Sequence, residues 1–181
     1  MKFRLRTFLS CVLFFFLCYL IFDITDPSAS MALRWPQRIP MYAEVTLAPG
    51  ADILHFLVRN PNRILAFRNL AGNMLLFAPV GFLLPLFWPY WRKWYRAVGF
   101  GAVLSLVIEL CQLLNFRATV TDDFLLNTLG TALGYGCFWV LARLSGRLKG
   151  EMAGKWMPFY TAAAALLMYN LIDLAQFLYY V

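Results

Sequence analysis

Five separate runs of about 20 residues, each almost wholly apolar, constrain this chain more than any other feature. They cover about Thr7–Ile24, Leu70–Trp88, Ala97–Leu114, Phe124–Ala142 and Met157–Tyr180. A helix rises about 1.5 Å per residue, so each run matches the roughly 30 Å hydrocarbon thickness of a bilayer. The chain has 181 residues, of which 62% are hydrophobic and only 14% charged. Soluble domains carry about 45–50% apolar and about 25% charged residues, so a water-soluble fold could not hide this much apolar surface. The expected class is therefore all-α, a polytopic membrane helical bundle of about five transmembrane helices. With no internal repeat and no low-complexity linker, residues 1–181 read as a single membrane domain.

Lys and Arg outnumber Asp and Glu by 16 to 9. The bases sit in short clusters beside apolar runs, the pattern of topology signals and of contact with anionic lipid headgroups. No zinc-finger or RNA-binding pattern accompanies them, so no nucleic-acid partner is expected. Three clusters lie on the same side of the five runs: Lys2, Arg4 and Arg6; Arg92, Lys93 and Arg96; and Arg143, Arg147, Lys149 and Lys155. The positive-inside rule then puts the N-terminus inside and the C-terminus outside. Ser28-Ala29-Ser30 resembles a small-residue cleavage site, so the first run has a rival reading as a signal peptide, although an uncleaved anchor is favoured. Either reading leaves an extracytoplasmic loop over about 25–68.

Within that loop, Asp52–Phe67 mixes apolar residues with Arg59 and Arg63 and is broken by Pro61. It reads as two short amphipathic pieces lying in the headgroup region. His55, the one histidine, reads as an interfacial residue. Trp88, Tyr90, Trp91, Trp94 and Tyr95 read as an aromatic belt beside the second basic cluster. Cys11, Cys18, Cys111 and Cys137 all fall in apolar runs without a CxxC pair, as buried small residues and not metal ligands or disulfides. Nothing in the sequence calls for a metal or a cofactor.

The informative residues are the polar ones inside the apolar runs, because an ionisable group in a bilayer costs about 2.5–3.5 kcal/mol on insertion scales. Glu109 shares one face of its helix with Ser105 and Gln112, spaced i, i+4 and i+7. Such a stripe must face protein or trapped water. The short connection that follows carries Arg117, Asp122 and Asp123, and Asn127 enters the next helix one turn later. Gly130 and Gly134 then make a smooth strip that admits a close helix neighbour. Asn73 lies near the outer start of the second run, and Asn170, Asp173 and Gln176 recur near the outer end of the fifth. Four helices thus bring amides or carboxyls to one layer below the outer surface. Interhelical glue is the plain explanation for the amides; for Glu109 with Gln112, Arg117 and the aspartates, a working site is favoured.

These residues fall in three ordered blocks. Asn69-Leu70-Ala71-Gly72-Asn73 runs into Phe77-Ala78-Pro79-Val80-Gly81-Phe82-Leu83-Leu84-Pro85. Ser105-Leu106-Val107-Ile108-Glu109-Leu110-Cys111-Gln112 follows, then Arg117, and finally Asp122-Asp123-Phe124-Leu125-Leu126-Asn127-Thr128-Leu129-Gly130 with Gly134 beyond. The pattern resembles the VanZ-like family of bacterial membrane proteins, over a core of about 69–140. Thr121 departs from it, standing where an aspartate or similar residue is expected. The resemblance implies a multi-pass helical domain in the bacterial cytoplasmic membrane and, through the family's namesake, an association with resistance to the glycopeptide teicoplanin. Carried over by motif, its polar positions are Asn73, Ser105, Glu109, Gln112, Arg117, Asp122, Asp123 and Asn127.

Three functions compete at this point. The first is a protein that binds an amphiphile at the outer leaflet, either a lipid-linked cell-envelope intermediate or a lipidated glycopeptide. Membrane lipids would be its partners, and Asn73, Ser105, Gln112, Arg117 and Asn127 its ligand-binding residues. The second is an enzyme acting on a lipid headgroup, with Glu109, Asp122 and Asp123 as catalytic candidates. A low-dielectric pocket favours the protonated form of a carboxyl, the state a general acid needs. Against it, no Ser–His–Asp set, no HExxH and no Cys–base pair is present. The third is a small transporter, which the lack of an inverted repeat disfavours.

Overall fold

The computed structural model describes residues 2–26, 45–46, 63–114, 119–145 and 155–180. Arg117, His55 and the connection between the fourth and fifth runs lie outside the described residues. Five long helices make up the fold: α1 (Lys2–Thr25), α2 (Arg63–Phe87), α3 (Trp94–Leu114), α4 (Thr121–Ser145) and α5 (Met157–Tyr180). All five contain an apolar window long enough to cross a membrane. Large apolar side chains such as Phe8, Phe16, Leu75, Leu106, Leu133 and Leu167 point outward. Water would penalise every one of them, whereas lipid does not. This is a multi-pass membrane protein.

Two details of the chain differ from the sequence expectation. The segment from Arg63 to Phe67 is not a separate amphipathic piece but the start of α2. No proline occurs between Pro61 and Pro79, so the helix runs on without a break. The aromatic belt also divides. Trp88 and Trp91 are buried, while Tyr90, Trp94 and Tyr95 are exposed. A 3-10 turn over Pro89–Arg92 follows α2 and folds the two indoles under the bundle. Phe14 of α1 meets Trp88 edge-on at 5.3 Å, and Trp91 packs on Phe100 at 5.4 Å and Phe159 at 5.6 Å. Among the cysteines, Cys18 is buried as expected, but Cys137 is exposed on the outer face of α4.

The tightest contact in the bundle is α2 against α4. A Cβ placed on Gly134 would lie 1.8 Å from the Ala78 carbonyl oxygen, and one on Gly81 1.9 Å from that of Thr131. Gly130 sits equally close to Met74 of α2. Lipid supplies no hydrophobic drive between helices, so this backbone-to-backbone approach supplies dispersion contacts in its place. α3 joins the pair through Gly101, which abuts the side chain of Thr131. α1 and α5 pack on one another, and α1 also packs on α2.

The two ends of the bundle differ in chemistry. One end collects Arg92, Lys93, Arg96 and Lys155 with the exposed aromatics. The Arg96 guanidinium lies 3.9 Å over the Tyr90 ring and donates to the Tyr90 carbonyl at 2.9 Å. The opposite end collects Asp26, Asn73, Glu109, Gln112, Asp122, Asp123 and Asp173. Beside it, Val45–Thr46 pairs in parallel with Thr119–Val120, a two-residue ladder that ties the loop after α1 to the α3–α4 connection.

Candidate functional site

The polar end is built on the antiparallel pair α3 and α4. Asn127 donates from Nδ2 to Ser105 Oγ at 3.0 Å, and this bond is buried. It fixes the register of the two helices. Glu109 lies one turn beyond Ser105 on α3, and Asp122 and Asp123 lie just over one turn before Asn127 on α4. Since the helices run oppositely, both steps move roughly 6–8 Å toward the same end, and the three carboxyls reach one level. Glu109 is 5% exposed and Asp122 3%, so both are drawn inside and not solvated. The carboxylates at the start of α4 also complement the positive end of its dipole.

The remaining polar residues divide by partner. Asn73 of α2 donates to Asp123 Oδ1 at 2.6 Å, joining a third helix to this level. Gln112 turns the other way and donates to the Thr25 carbonyl of α1 at 2.6 Å. Thr131 donates to the Asn127 carbonyl within α4. Asn170 donates to the Leu166 carbonyl of its own helix, and Gln176 is exposed, so neither crosses to another helix through these contacts. α5 reaches the polar end by a different residue: Tyr169 donates its hydroxyl to Asp26 Oδ1 at 2.8 Å. That clasp, and the place of Thr131 between Gly81 and Gly101, were not read from the sequence. A tyrosine and a threonine in apolar runs carry no signal until their neighbours are known.

Among the described residues the indole nitrogens of Trp88 and Trp91, at the basic end, are buried with no hydrogen-bond partner, and so is one atom at the polar level. Asn127 Oδ1 is buried and has no hydrogen-bond partner among the described residues. An unmade hydrogen bond at a buried acceptor costs about 1–3 kcal/mol, so a helix-gluing amide would be expected to use it. No group of three or more His, Cys, Asp or Glu suited to a metal occurs among the described residues.

A family model described as VanZ/LLP1 matches residues 7–142. The chain belongs to the VanZ-like family. The match takes in α1, α2, α3 and nearly all of α4, so it reaches well beyond the motif blocks of residues 69–140. α1 packs through Phe14, Cys18, Ile21 and Phe22 in the core of this VanZ-like bundle. α5, which follows the matched segment, docks on α1. No curated protein and no solved structure matches the chain.

The Asn73–Asp123 bond supports a test in this VanZ-like protein. A hydrogen bond to a charged group contributes about 1.5–3 kcal/mol when buried, and this one is half-buried. Single and double alanine variants should show a coupling of about 1 kcal/mol in unfolding cycles. Strict additivity would mean that this bond contributes nothing to the pairing of α2 with α4.

Proposed function

We propose that the polar end faces outward and recognises the headgroup of an amphiphile in the outer leaflet, either a lipid-linked cell-envelope intermediate or a lipidated glycopeptide. The protein would thereby limit access of such an antibiotic to its target. What supports this reading most is the buried level formed by Ser105, Glu109, Asp122 and Asn127, with the Asn127 acceptor left over among the described residues. Family membership adds the association with teicoplanin resistance. Arg117 follows Glu109 in the connection to α4 and would supply a cation for phosphate or carboxylate groups of the ligand.

Orientation is part of the proposal. With the basic end in the cytoplasm, the site lies on the extracytoplasmic side of the bacterial cytoplasmic membrane and the C-terminus is outside. A phosphatase reporter fused after Val181 should be active, and a cytoplasm-only fluorescent reporter at the same place dark. The reverse result would turn the site inward and end the outer-leaflet reading.

A second reading is an enzyme on the same headgroup. Two buried carboxyls at one level, Glu109 and Asp122, are suited to moving a proton. Turnover of a purified lipid-linked intermediate, followed by mass spectrometry, separates the two. Retention of intact ligand supports recognition, and a changed mass supports catalysis.

A further inference from the structure

Away from the polar level, an apolar crevice lies among α1, α3 and α5. Phe22, Phe100, Val103, Val107, Phe159 and Leu166 form most of its walls. α3 and α5 scarcely touch, and Val103 and Ala163 stand exposed on opposite rims, so the crevice opens sideways toward lipid. A lining of hydrocarbon and aromatic faces offers no partner to a polar group, which would forfeit its hydrogen bonds there. Hydrocarbon is the fitting occupant. From Phe100 to Val107 the helix rises roughly 10 Å, most of the hydrocarbon depth of one leaflet.

The ends of the crevice decide which lipid fits. At one end Phe100 and Phe159 meet with ring centroids 4.9 Å apart, over Trp91. Arg96 lies four residues before Phe100, and Lys155 four before Phe159, so each cation is about one helical turn from that end. Lys93 and Lys155 are exposed there. At the other end, Phe22 leads in four residues to Asp26 and Leu166 in seven to Asp173, with Asp23 exposed nearby. A phosphate therefore meets cations at the aromatic end and carboxylates at the polar end.

We propose that this crevice is a binding site for one acyl chain of an anionic glycerophospholipid, whose headgroup is held by Lys93 and Lys155. The site uses the opposite end of the bundle and a different face of α3 from the polar level. It stands or falls independently of the function proposed above.

The test is native mass spectrometry of the purified full chain in micelles doped equally with phosphatidylglycerol and phosphatidylcholine of matched chains. Wild type should retain one phosphatidylglycerol with about tenfold preference, given two exposed lysines near the headgroup. Lys93→Gln with Lys155→Gln should abolish that preference. Ala163→Phe fills the crevice from an exposed rim and should lower retention of both lipids while leaving the melting temperature unchanged. Val103→Trp, from the opposite rim, repeats the test if Ala163→Phe melts early. Equal retention of the two lipids by wild type, a preference that survives the double glutamine change, or undiminished retention by a filled variant would overturn the site.

Discussion

Replacing Gly134 with leucine should abolish the folded bundle. A single Cβ at this position would lie 1.8 Å from the Ala78 carbonyl oxygen and 2.7 Å from its carbon, both backbone atoms that no rotamer change can move. Accommodation requires α2 and α4 to separate over their whole length, which also disturbs the Gly81–Thr131 contact and the Asn73–Asp123 bond. Overpacking in a core costs about 1–3 kcal/mol when side chains can give way, so here we expect about 3 kcal/mol or more. The purified variant should lose its monodisperse chromatographic peak or melt far below wild type. Gly99 and Gly136 supply the control, since a Cβ there meets nothing within 4 Å. Alanine at either should be neutral or slightly stabilising, by roughly 0.5 kcal/mol, because alanine favours helix over glycine. A Gly134→Leu protein that melts with wild type would show that the two helices are not held by close backbone approach.

Glu109→Gln should do the opposite, sparing the fold and removing function. The amide is close in size and still hydrogen-bonds, so the packing of this level is preserved. Under the proposed function the protein confers resistance to a lipidated glycopeptide on its host, and if the level only glues helices that resistance should be unaffected. If it recognises a headgroup, resistance should fall to the level of a host without the protein, while expression and melting stay intact. Asn127→Ala removes both the Ser105 bond and the unused acceptor, and should lower resistance less completely with a melting loss of about 1 kcal/mol. Susceptibility assays paired with thermal melting of the same variants decide the matter. Full resistance from a stable Glu109→Gln protein would remove the acid from the site.

The five helices were legible in the sequence because a bilayer imposes one simple condition, an apolar stretch long enough to cross it with every backbone group bonded within its own segment. Thr7–Ile24 and Met157–Tyr180 satisfy it without reference to any other part of the chain. The stripe of Ser105, Glu109 and Gln112 was legible for a related reason, since polar residues in hydrocarbon must be turned toward protein. Which partner each one faces was not. Gln112 shares its stripe with Glu109 yet bonds to α1, because α1 ends at the same height.

The apolar pattern of the chain thus sets the number of crossings, the helical class and the face of α3 that is turned inward. All three follow from local periodicity and from the solvent being lipid. The packing of the helices decided that α2 and α4 form the close pair and that Trp88 and Trp91 are buried in the core. It also decided that α5 reaches the polar end through Tyr169, which donates to Asp26. These depend on contacts between residues far apart in the chain, where small steric differences select one packing from several that the same apolar surfaces would allow. In lipid an outward leucine and an inward leucine bury almost the same surface, so apolar pattern cannot choose between faces. Glycine gaps such as Gly81 against Thr131, and single hydrogen bonds such as Asn127 to Ser105, make that choice.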